Sequence, residues 1–311
     1  MSYDDNFQKI SKKNQRKNRN EHQAFDEAQH DYYRAFFTED PDTFADAATV
    51  PENADRWSTW DQSTPLERGP EPHPGWLVTE SAAVDYELGA VKSGKEADVV
   101  LLERAVPDTS RRCLLAAKRY IDPDRRQFRR DHQYRDGRGH PDARAARAIA
   151  KRTAFGLKAH AAQWAYAEFS ALRRMWSAGV AVPYPVQILG TEICMEFIGT
   201  ADGDAAPRLA RMRCTAAQRD DLWEQLVESL SAMARTGYTH GDLSAYNVIV
   251  DDGRLVIIDL PQTIDVIVHP NGSQFLDRDV HHIGSWFVSA GLPARHVTDL
   301  TRRLFAETGV S

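Results

Sequence analysis

The run HGDLSAYNVIVDDGRLVIID, residues 240–259, decides the fold of this chain. Two short apolar runs within it are joined by Asp251–Gly253, and Asp-Gly between apolar runs predicts a β-hairpin. Asp242 and Asn247 stand five positions apart on the preceding polar stretch, a spacing typical of a phosphotransfer loop. The Asp there accepts or orients a hydroxyl proton, and the Asn oxygen binds a divalent ion. Asp259 follows the second apolar run and offers Mg²⁺ a hard oxygen ligand.

The residues that would complete a phosphotransfer site precede this run in the chain, in the order turn, lysine and glutamate. Lys118 ends the apolar strand predicted over 114–120, where its ammonium can contact phosphate oxygens. Glu168 lies in the helix predicted over 159–177 and can hold that lysine by an ion pair. The turn Gly89–Glu96 supplies flexibility and backbone N–H donors for phosphates. It is not a Walker A loop, because the glycine spacing differs and a strand is predicted to follow.

The remaining periodicity predicts an α+β protein of two lobes. The first lobe has five strands and one helix, with two strands within 84–104 and two more at 186–189 and 193–197. The second lobe is mostly helical around the hairpin, with an amphipathic helix over 216–236 and closing helices over 274–289 and 294–307.

Taken together, these motifs resemble the RIO family of atypical protein kinases, and more closely its first branch. The resemblance covers about residues 85–289 and rests on these segments: SGKEADV at 93–99, AK at 117–118, EF at 168–169, MEFIG at 195–199, HGDLSAYN at 240–247, ID at 258–259 and LDRDV at 276–280. Three departures from the family pattern bear on the branch but remove no phosphate or metal ligand: Lys92, Ala245 and Pro261.

The resemblance implies a shortened bilobal kinase fold that binds ATP and Mg²⁺ between its lobes. It implies a serine/threonine protein kinase that phosphorylates itself, or an ATPase that passes through a phosphorylated Asp259. The implied site residues are Asp242, Asp259 and Lys118 for catalysis, Asn247 and Asp259 for the metal, and Ser93, Gly94, Lys95, Glu96, Lys118, Glu168, Glu196 and Ile198 for the nucleotide, the last two within a hinge at 195–198.

The spacing after the metal segment supports this branch independently. Only twenty positions separate Asp259 from Asp279, which begins the next predicted helix. A conventional kinase needs a longer activation segment there, and this chain has no Ala-Pro-Glu. Gly241 stands where an arginine would grip an activation-loop phosphate. We therefore expect no regulation by phosphorylation of an activation loop.

Composition excludes several classes of protein. The 311 residues carry a net charge of −6 and are 42% hydrophobic, which excludes collagen-like, wholly disordered and membrane-embedded chains. There is no apolar run of the roughly 18–20 residues that span a bilayer, and no secretory signal at the N-terminus. The three widely spaced cysteines are typical of reduced thiols. We expect a cytoplasmic protein without a membrane partner.

Charge and breaker residues divide the chain into three parts. Residues 1–75 are predicted to be an N-terminal extension, partly helical over 21–37 and partly disordered, in which Trp57 and Trp60 are candidates to anchor it on the folded part. Residues 76–199 are the predicted N-lobe and hinge, and residues 200–311 the C-lobe.

Two basic segments leave a further function open. Residues 9–19 hold six basic residues and no acid, and residues 125–158 hold eleven basic residues and three acids. Such segments suit a nucleotide-switched assembly factor that binds RNA or a ribosomal particle. A third interpretation is a small-molecule phosphotransferase of the aminoglycoside-kinase type, which shares the H-G-D-x-x-x-x-N loop. The resemblance implies the chain itself as a protein substrate.

Overall fold

The first half of the described chain is built on one antiparallel sheet. The computed structural model describes residues 50–51, 53–121 and 154–309. Six strands follow the order β1-β2-β3-β4-β6-β5. Their bounds are β1 Arg56–Trp57, β2 Val84–Ser93, β3 Ala97–Ala105, β4 Arg112–Tyr120, β5 Pro185–Leu189 and β6 Glu192–Glu196. Because side chains alternate along a strand, β4 sends Leu115 and Ala117 to one face and Lys118 and Tyr120 to the other. We call these the back and front faces.

Helix α1, Ala154–Ser177, covers the front face of the sheet. Alanines recur along it and no proline interrupts it, which suits a long helix. Its buried residues Ala165 and Phe169 pack with Ile188 of β5 and Ile193 of β6. The helix therefore presents Glu168, one residue before Phe169, to the same face of the sheet as Lys118.

An N-terminal strap, residues 58–78, covers the back face. Trp60 is 5% exposed and lies in one apolar cluster with Leu102 and Leu115. The amide of Gly69 donates to the carbonyl of Val186 at 2.9 Å. Folded structure thus begins before residue 76, where the sequence placed its start, because tertiary contacts order a segment that lacks periodicity of its own. The anchoring predicted for Trp60 is confirmed.

The second half of the described chain is mostly helical, as predicted. Helix α2, Ala216–Arg235, begins at a capping box in which Thr215 accepts a hydrogen bond from the amide of Gln218. Helices α3, Gly272–Ser289, and α4, Arg295–Thr308, pack on it through one apolar core that includes Leu226, Ile283 and Leu304.

Two small sheets complete this half. The predicted hairpin is confirmed as β8, Val248–Asp251, and β9, Arg254–Ile257, joined at Asp252 and Gly253 with φ of 45° and 79°. Positive φ at both central residues is the geometry that makes Asp-Gly favourable there. The two-residue strands β7, Tyr238–Thr239, and β10, Ile264–Asp265, pair with each other and were not predicted.

Several predictions fall outside the described residues. The helix over 21–37, the basic segment 9–19 and most of the segment 125–158 belong to this group. Within the described part, none of the helices has both the length and the apolarity of a membrane span. The division into 1–75, 76–199 and 200–311 stays a prediction, apart from the earlier start of folded structure given above.

Candidate active site

Lys118 lies between the two lobes and binds a carboxylate from each. Its Nζ is 2.8 Å from Oε1 of Glu168 on α1 and 2.7 Å from Oδ1 of Asp259, which follows β9. Its side chain is 14% exposed. Burial alone would lower the pKa of Lys118, but the carboxylate of Glu168, and then Tyr120 and Asp259, hold it well above its usual range. The lysine is therefore a permanent cation at the cleft.

Tyr120 fixes the other oxygen of Glu168. Its hydroxyl donates to Oε2 at 2.5 Å, while Lys118 takes Oε1. Burial, and then the Glu168 carboxylate, raise the pKa of Tyr120 well above its usual range, so that the phenol keeps its proton. The Lys118 ammonium also lies 5.2 Å from the centre of the Tyr120 ring. Sequence reasoning missed this residue, although its spacing of two from Lys118 places both on one face of β4.

Asp259 occupies a strained position in the cleft. Its φ of 69° is in the left-handed region, which a non-glycine residue adopts at a cost of about 1–3 kcal/mol. The Lys118 ammonium lowers the pKa of its carboxyl to about 2, against the opposing effect of burial. Its side chain is 40% exposed, so an ionised carboxylate is presented to solvent in the cleft.

A buried carboxylate on α3 holds the loop that carries Asp242 through hydrogen bonds. Asp279 is 2% exposed, and its Oδ2 accepts hydrogen bonds from the Thr239 hydroxyl at 2.7 Å and the Gly241 amide at 2.6 Å. Its Oδ1 accepts from the amide of Leu243 at 3.0 Å. Gly241 has a φ of 85°, and a Cβ there would lie 2.2 Å from the carbonyl oxygen of Gln262. The prediction that Asp279 begins a helix is wrong, because α3 begins at Gly272. The role of Asp279 as the anchor of this loop was not predicted.

Asp242 is exposed, and the groups around it are fixed by hydrogen bonds. The His240 ring accepts from the Asp242 amide at 3.3 Å and meets the carbonyl of Ile258 at 3.0 Å. Nδ2 of Asn247 donates to the Asp242 carbonyl at 2.9 Å. The backbone also joins the two predicted metal ligands, because the amide of Ile258, next to Asp259, donates to the Asn247 carbonyl at 2.9 Å. The structure thus gathers Asp242, Asn247 and Asp259 around one loop and one strand end.

The predicted phosphate loop forms the tight connection between β2 and β3. The backbone amide of Gly94 donates to the carbonyl of Ala97 at 3.1 Å, and a Cβ at Gly94 would lie 2.9 Å from that oxygen. Ser93, Lys95 and Glu96 are exposed. Among the described residues, no hydrogen bond joins Ser93 or Lys95 to Lys118 or Asp259. The loop is therefore open to solvent, as a flap over a ligand would be.

The predicted hinge joins the two lobes after β6. Oε2 of Glu196 accepts from the amide of Tyr184 at 3.0 Å, and its Oε1 pairs with Arg254 of β9 at 3.2 Å. The carbonyl of Ile198 accepts from the amide of Ala206 at 3.0 Å. The Glu196 side chain thus ties the lobes together, which the sequence did not indicate.

Comparison with known proteins agrees with this arrangement. A family model for the RIO domain matches residues 108–300. The chain belongs to the RIO family, and its α+β fold of a strand-rich lobe and a helical lobe is the shortened kinase-like fold that the resemblance implied.

Curated relatives point to the same family. The chain is 40% identical over 131 residues to the RIO-type serine/threonine-protein kinase Rio1 of Haloferax volcanii, an alignment that covers 42% of this chain and 44% of the relative. It is 34% identical over 145 residues to RIO1 of Caenorhabditis elegans, covering 46% and 28%. RIO1 of Saccharomyces cerevisiae is 31% identical over 135 residues, covering 42% and 27%. These names support the first-branch prediction, while the chain spans less than half the length of each relative.

A solved structure shows a weaker likeness. The Rio2 kinase–ADP/Mg²⁺–phosphoaspartate complex of Chaetomium thermophilum is 21% identical, with a TM-score of 0.46. The match covers 72% of this chain and 66% of that one. At this score the likeness carries no argument, so the fold rests on the family match and on the elements described above.

Proposed function

We propose that this protein is an ATP- and Mg²⁺-dependent atypical serine/threonine protein kinase. The observation that carries the proposal is the position of Lys118, which bonds Glu168 of one lobe and Asp259 of the other beside the exposed Asp242. A fixed cation, an ionised carboxylate and a separate exposed carboxylate in one cleft are the parts that phosphoryl transfer needs. All the relatives named above are protein kinases, which favours a protein substrate over a small-molecule one.

In this mechanism, positioning and charge do most of the work. Lys118 contacts the α- and β-phosphates and is oriented by Glu168, which Tyr120 holds from the other side. The exposed turn at 93–96 covers the phosphates with its backbone amides. The hinge backbone at Glu196 and Ile198 would contact the base. Asp242 accepts the proton of the attacking hydroxyl as its oxygen bonds to the γ-phosphorus, the bond from that phosphorus to the β,γ-bridging oxygen breaks, and ADP leaves.

The residues present fit a magnesium ion. Nδ2 of Asn247 donates a hydrogen bond to the Asp242 carbonyl. Oδ1 is therefore the side-chain atom of Asn247 that can bind a cation. Asp259 is ionised at any physiological pH, because its pKa is about 2. One carboxylate, one amide oxygen and phosphate oxygens suit Mg²⁺, which is usually held by one or two carboxylates. In the described part, no cluster of three or more His, Cys, Asp or Glu side chains forms a metal site. The ion would neutralise charge on the phosphates.

The test is phosphate transfer from γ-labelled ATP with Mg²⁺ by the wild type and by Asp242→Asn. We expect the variant to lose transfer by about 10²–10⁴-fold while still binding ATP, because only the proton acceptor changes. Asp299→Asn, an exposed carboxylate on α4, is the matched control and should keep full activity. Full transfer by Asp242→Asn would contradict the role of Asp242.

The chemical stability of the label separates kinase from ATPase. Acid-stable phosphoserine or phosphothreonine indicates protein phosphorylation, whereas an alkali-labile acyl phosphate that disappears in Asp259→Asn indicates an ATPase cycle through that aspartate. Rapid labelling of an aminoglycoside with no labelled protein would overturn the kinase proposal.

An RNA or ribosomal partner is a second proposal, and it rests on sequence. The basic segment 125–158 leads directly into α1, which begins at Ala154 and carries Glu168. Binding there would reach the helix that orients Lys118. If RNA binds through these cations and those of residues 9–19, its affinity for the protein falls steeply as the salt concentration rises. An affinity that does not depend on the salt concentration would contradict the proposal. We place both activities in the cytoplasm, which cell fractionation tests.

A further inference from the structure

A strip of arginines lies against the loop that carries Asp242. We call Arg208, Arg211 and Arg213, between the hinge and α2, the basic strip. The Arg208 guanidinium donates to the carbonyl of Tyr246. Two residues on, the amide of Ala210 donates to the carbonyl of Ala245 at 2.9 Å. These two bonds fix the strip beside the site of transfer.

Two arginines of the basic strip present their charge to solvent. Arg211 and Arg213 are exposed, and the part of the chain that the structure describes offers neither of them an ion-pair partner. The acids of the same segment lie in the preceding turn, at 202–204, where Gly203 packs against Leu101 of β3. Both acids are exposed at that turn. On the same loop as Asp242, Tyr246 is 65% exposed and offers an apolar surface beside the arginines.

The chain itself contains a segment of the opposite charge. Residues 38–49, TEDPDTFADAAT, hold four acids and no basic residue. Three threonines, at 38, 43 and 49, give the segment hydroxyl groups that can accept a phosphoryl group. Between Arg34 and Arg56 there is no lysine or arginine at all. We call residues 38–49 the acidic segment.

The acidic segment is long enough to reach the phosphate loop within one molecule. It joins the described structure near Asp55, whose carboxylate accepts from the amide of Glu87 on β2 at 2.7 Å. From Glu87, β2 runs six residues to Ser93 at the phosphate loop, roughly 20 Å. Twelve residues separate Thr43 from Asp55, which spans about 40 Å when extended. The extended length is therefore about twice that of this part of the strand.

We propose that the basic strip docks the acidic segment of the same chain and that its threonines are the autophosphorylation sites. This inference rests on the proposed function and names the class of acceptor, a hydroxyl within an acidic peptide. In the step, the threonine oxygen bonds to the γ-phosphorus of ATP, the bond from that phosphorus to the β,γ-bridging oxygen breaks, and ADP leaves. The hydroxyl proton passes to Asp242 and then to solvent.

The experiment maps phosphate on the full chain after incubation with γ-labelled ATP and Mg²⁺. We expect phosphothreonine within residues 38–49 of the wild type. Reversing charge with Arg211→Glu and Arg213→Glu should reduce that label about tenfold without changing the thermal shift that MgATP produces. Arg302→Glu with Arg303→Glu, on the exposed face of α4, is the matched control and should keep the label. Labelling should return when the Arg211→Glu and Arg213→Glu variant also carries four lysines in its acidic segment: Glu39→Lys, Asp40→Lys, Asp42→Lys and Asp46→Lys.

The outcomes separate this inference from the proposed function. A wild type with no label anywhere contradicts the kinase itself. A wild type labelled only elsewhere, or labelled on the acidic segment regardless of strip charge, leaves the kinase standing and overturns the docking. If the reversed strip abolishes binding of an oligoribonucleotide but leaves the threonine label unchanged, the strip serves nucleic acid and the docking is again overturned.

Discussion

Two clusters of ion pairs lie on opposite faces of the same sheet and differ in how completely their charges are satisfied. On the back face, the Arg104 guanidinium donates twice to Asp85, at 2.7 and 3.2 Å, and once to Gln187 at 2.9 Å. Gln187 in turn donates to the Thr59 hydroxyl of the strap at 2.6 Å. The side chains of Arg104 and Asp85 are both 0% exposed.

The front cluster leaves charge available. Lys118 meets two carboxylates, and that of Asp259 remains 40% exposed at a strained backbone position. A buried ion pair whose hydrogen-bonding groups are all satisfied stabilises the fold. An ion pair in which one carboxylate is exposed to solvent can exchange that partner for a ligand. The comparison therefore assigns stability to the back cluster and chemistry to the front cluster, and each of the following predictions tests that division.

The largest expected effect is on the back face. Arg104→Met leaves Asp85 buried with only Arg56 to pair with, so the free energy of unfolding should fall by about 3 kcal/mol in urea titrations. The folded variant should keep wild-type ATP turnover at low temperature. Asp85→Leu added to Arg104→Met should recover part of the stability, because no unpaired charge is then buried. A variant as stable as wild type would break the comparison.

Lys118→Met tests the front cluster. Removing the cation that binds phosphate should lower kcat/KM for ATP by about 10²–10³-fold. The loss of stability should be smaller than for Arg104→Met, since Tyr120 still donates to Glu168. Steady-state turnover and urea titrations measure the two quantities on one preparation. Retention of more than a tenth of the activity would show that the front cluster is structural as well.

Tyr120→Phe sharpens the division within the front cluster. Without the hydroxyl, Glu168 loses one of its two fixed oxygens, and the position of Lys118 loosens. We expect kcat/KM for ATP to fall about tenfold, mainly through KM, consistent with the loss of one hydrogen bond to a charged group. Tyr184→Phe is the matched control, because that hydroxyl donates to the Pro70 carbonyl on the back face. It should change stability but not KM.

The smallest expected effect is a dependence on pH. The folded pKa of Asp259 is about 2, below its ordinary value of 3.8, so the pair with Lys118 adds stability above pH 3.8 and loses it as pH falls towards 2. The difference in unfolding free energy between wild type and Asp259→Asn should be constant from pH 5 to 8 and shrink below pH 4. Urea titrations across that range measure it. A difference that grows on acidification would contradict a lowered pKa of Asp259 in the folded state.

Much of the fold and part of the site could be predicted from the sequence. Periodicity located the main strands and helices, since each buries one regular face, and motif order anticipated that Lys118 and Glu168 form an ion pair. The strap escaped prediction, because its order comes from contacts such as that of Gly69 with Val186, more than a hundred residues away. Arg104 escaped for another reason, since a charged residue in a strand normally indicates an exposed position.

The roles of the site residues are a different matter. The structure shows which side chains meet, and the nucleotide-binding roles of Ser93, Lys95 and the hinge backbone stay predictions. Tyr120 and Asp279 illustrate the opposite case, because both make close contacts that no motif indicated. Partners of a catalytic residue follow from packing, whereas motif spacing identifies only the residue itself.

The strap has a consequence for the order in which the chain can fold during synthesis. The hydrogen bond between Thr59 and Gln187 cannot form until Gln187, 128 residues further along the chain, has been synthesised. At about 5–20 residues per second, a ribosome needs roughly 6–25 s to make that stretch. Until then the back-face residues Leu102 and Leu115 have no complete cover. The nascent N-lobe therefore exposes apolar surface while these residues are made, and slower translation of residues 121–185 would lengthen that exposure.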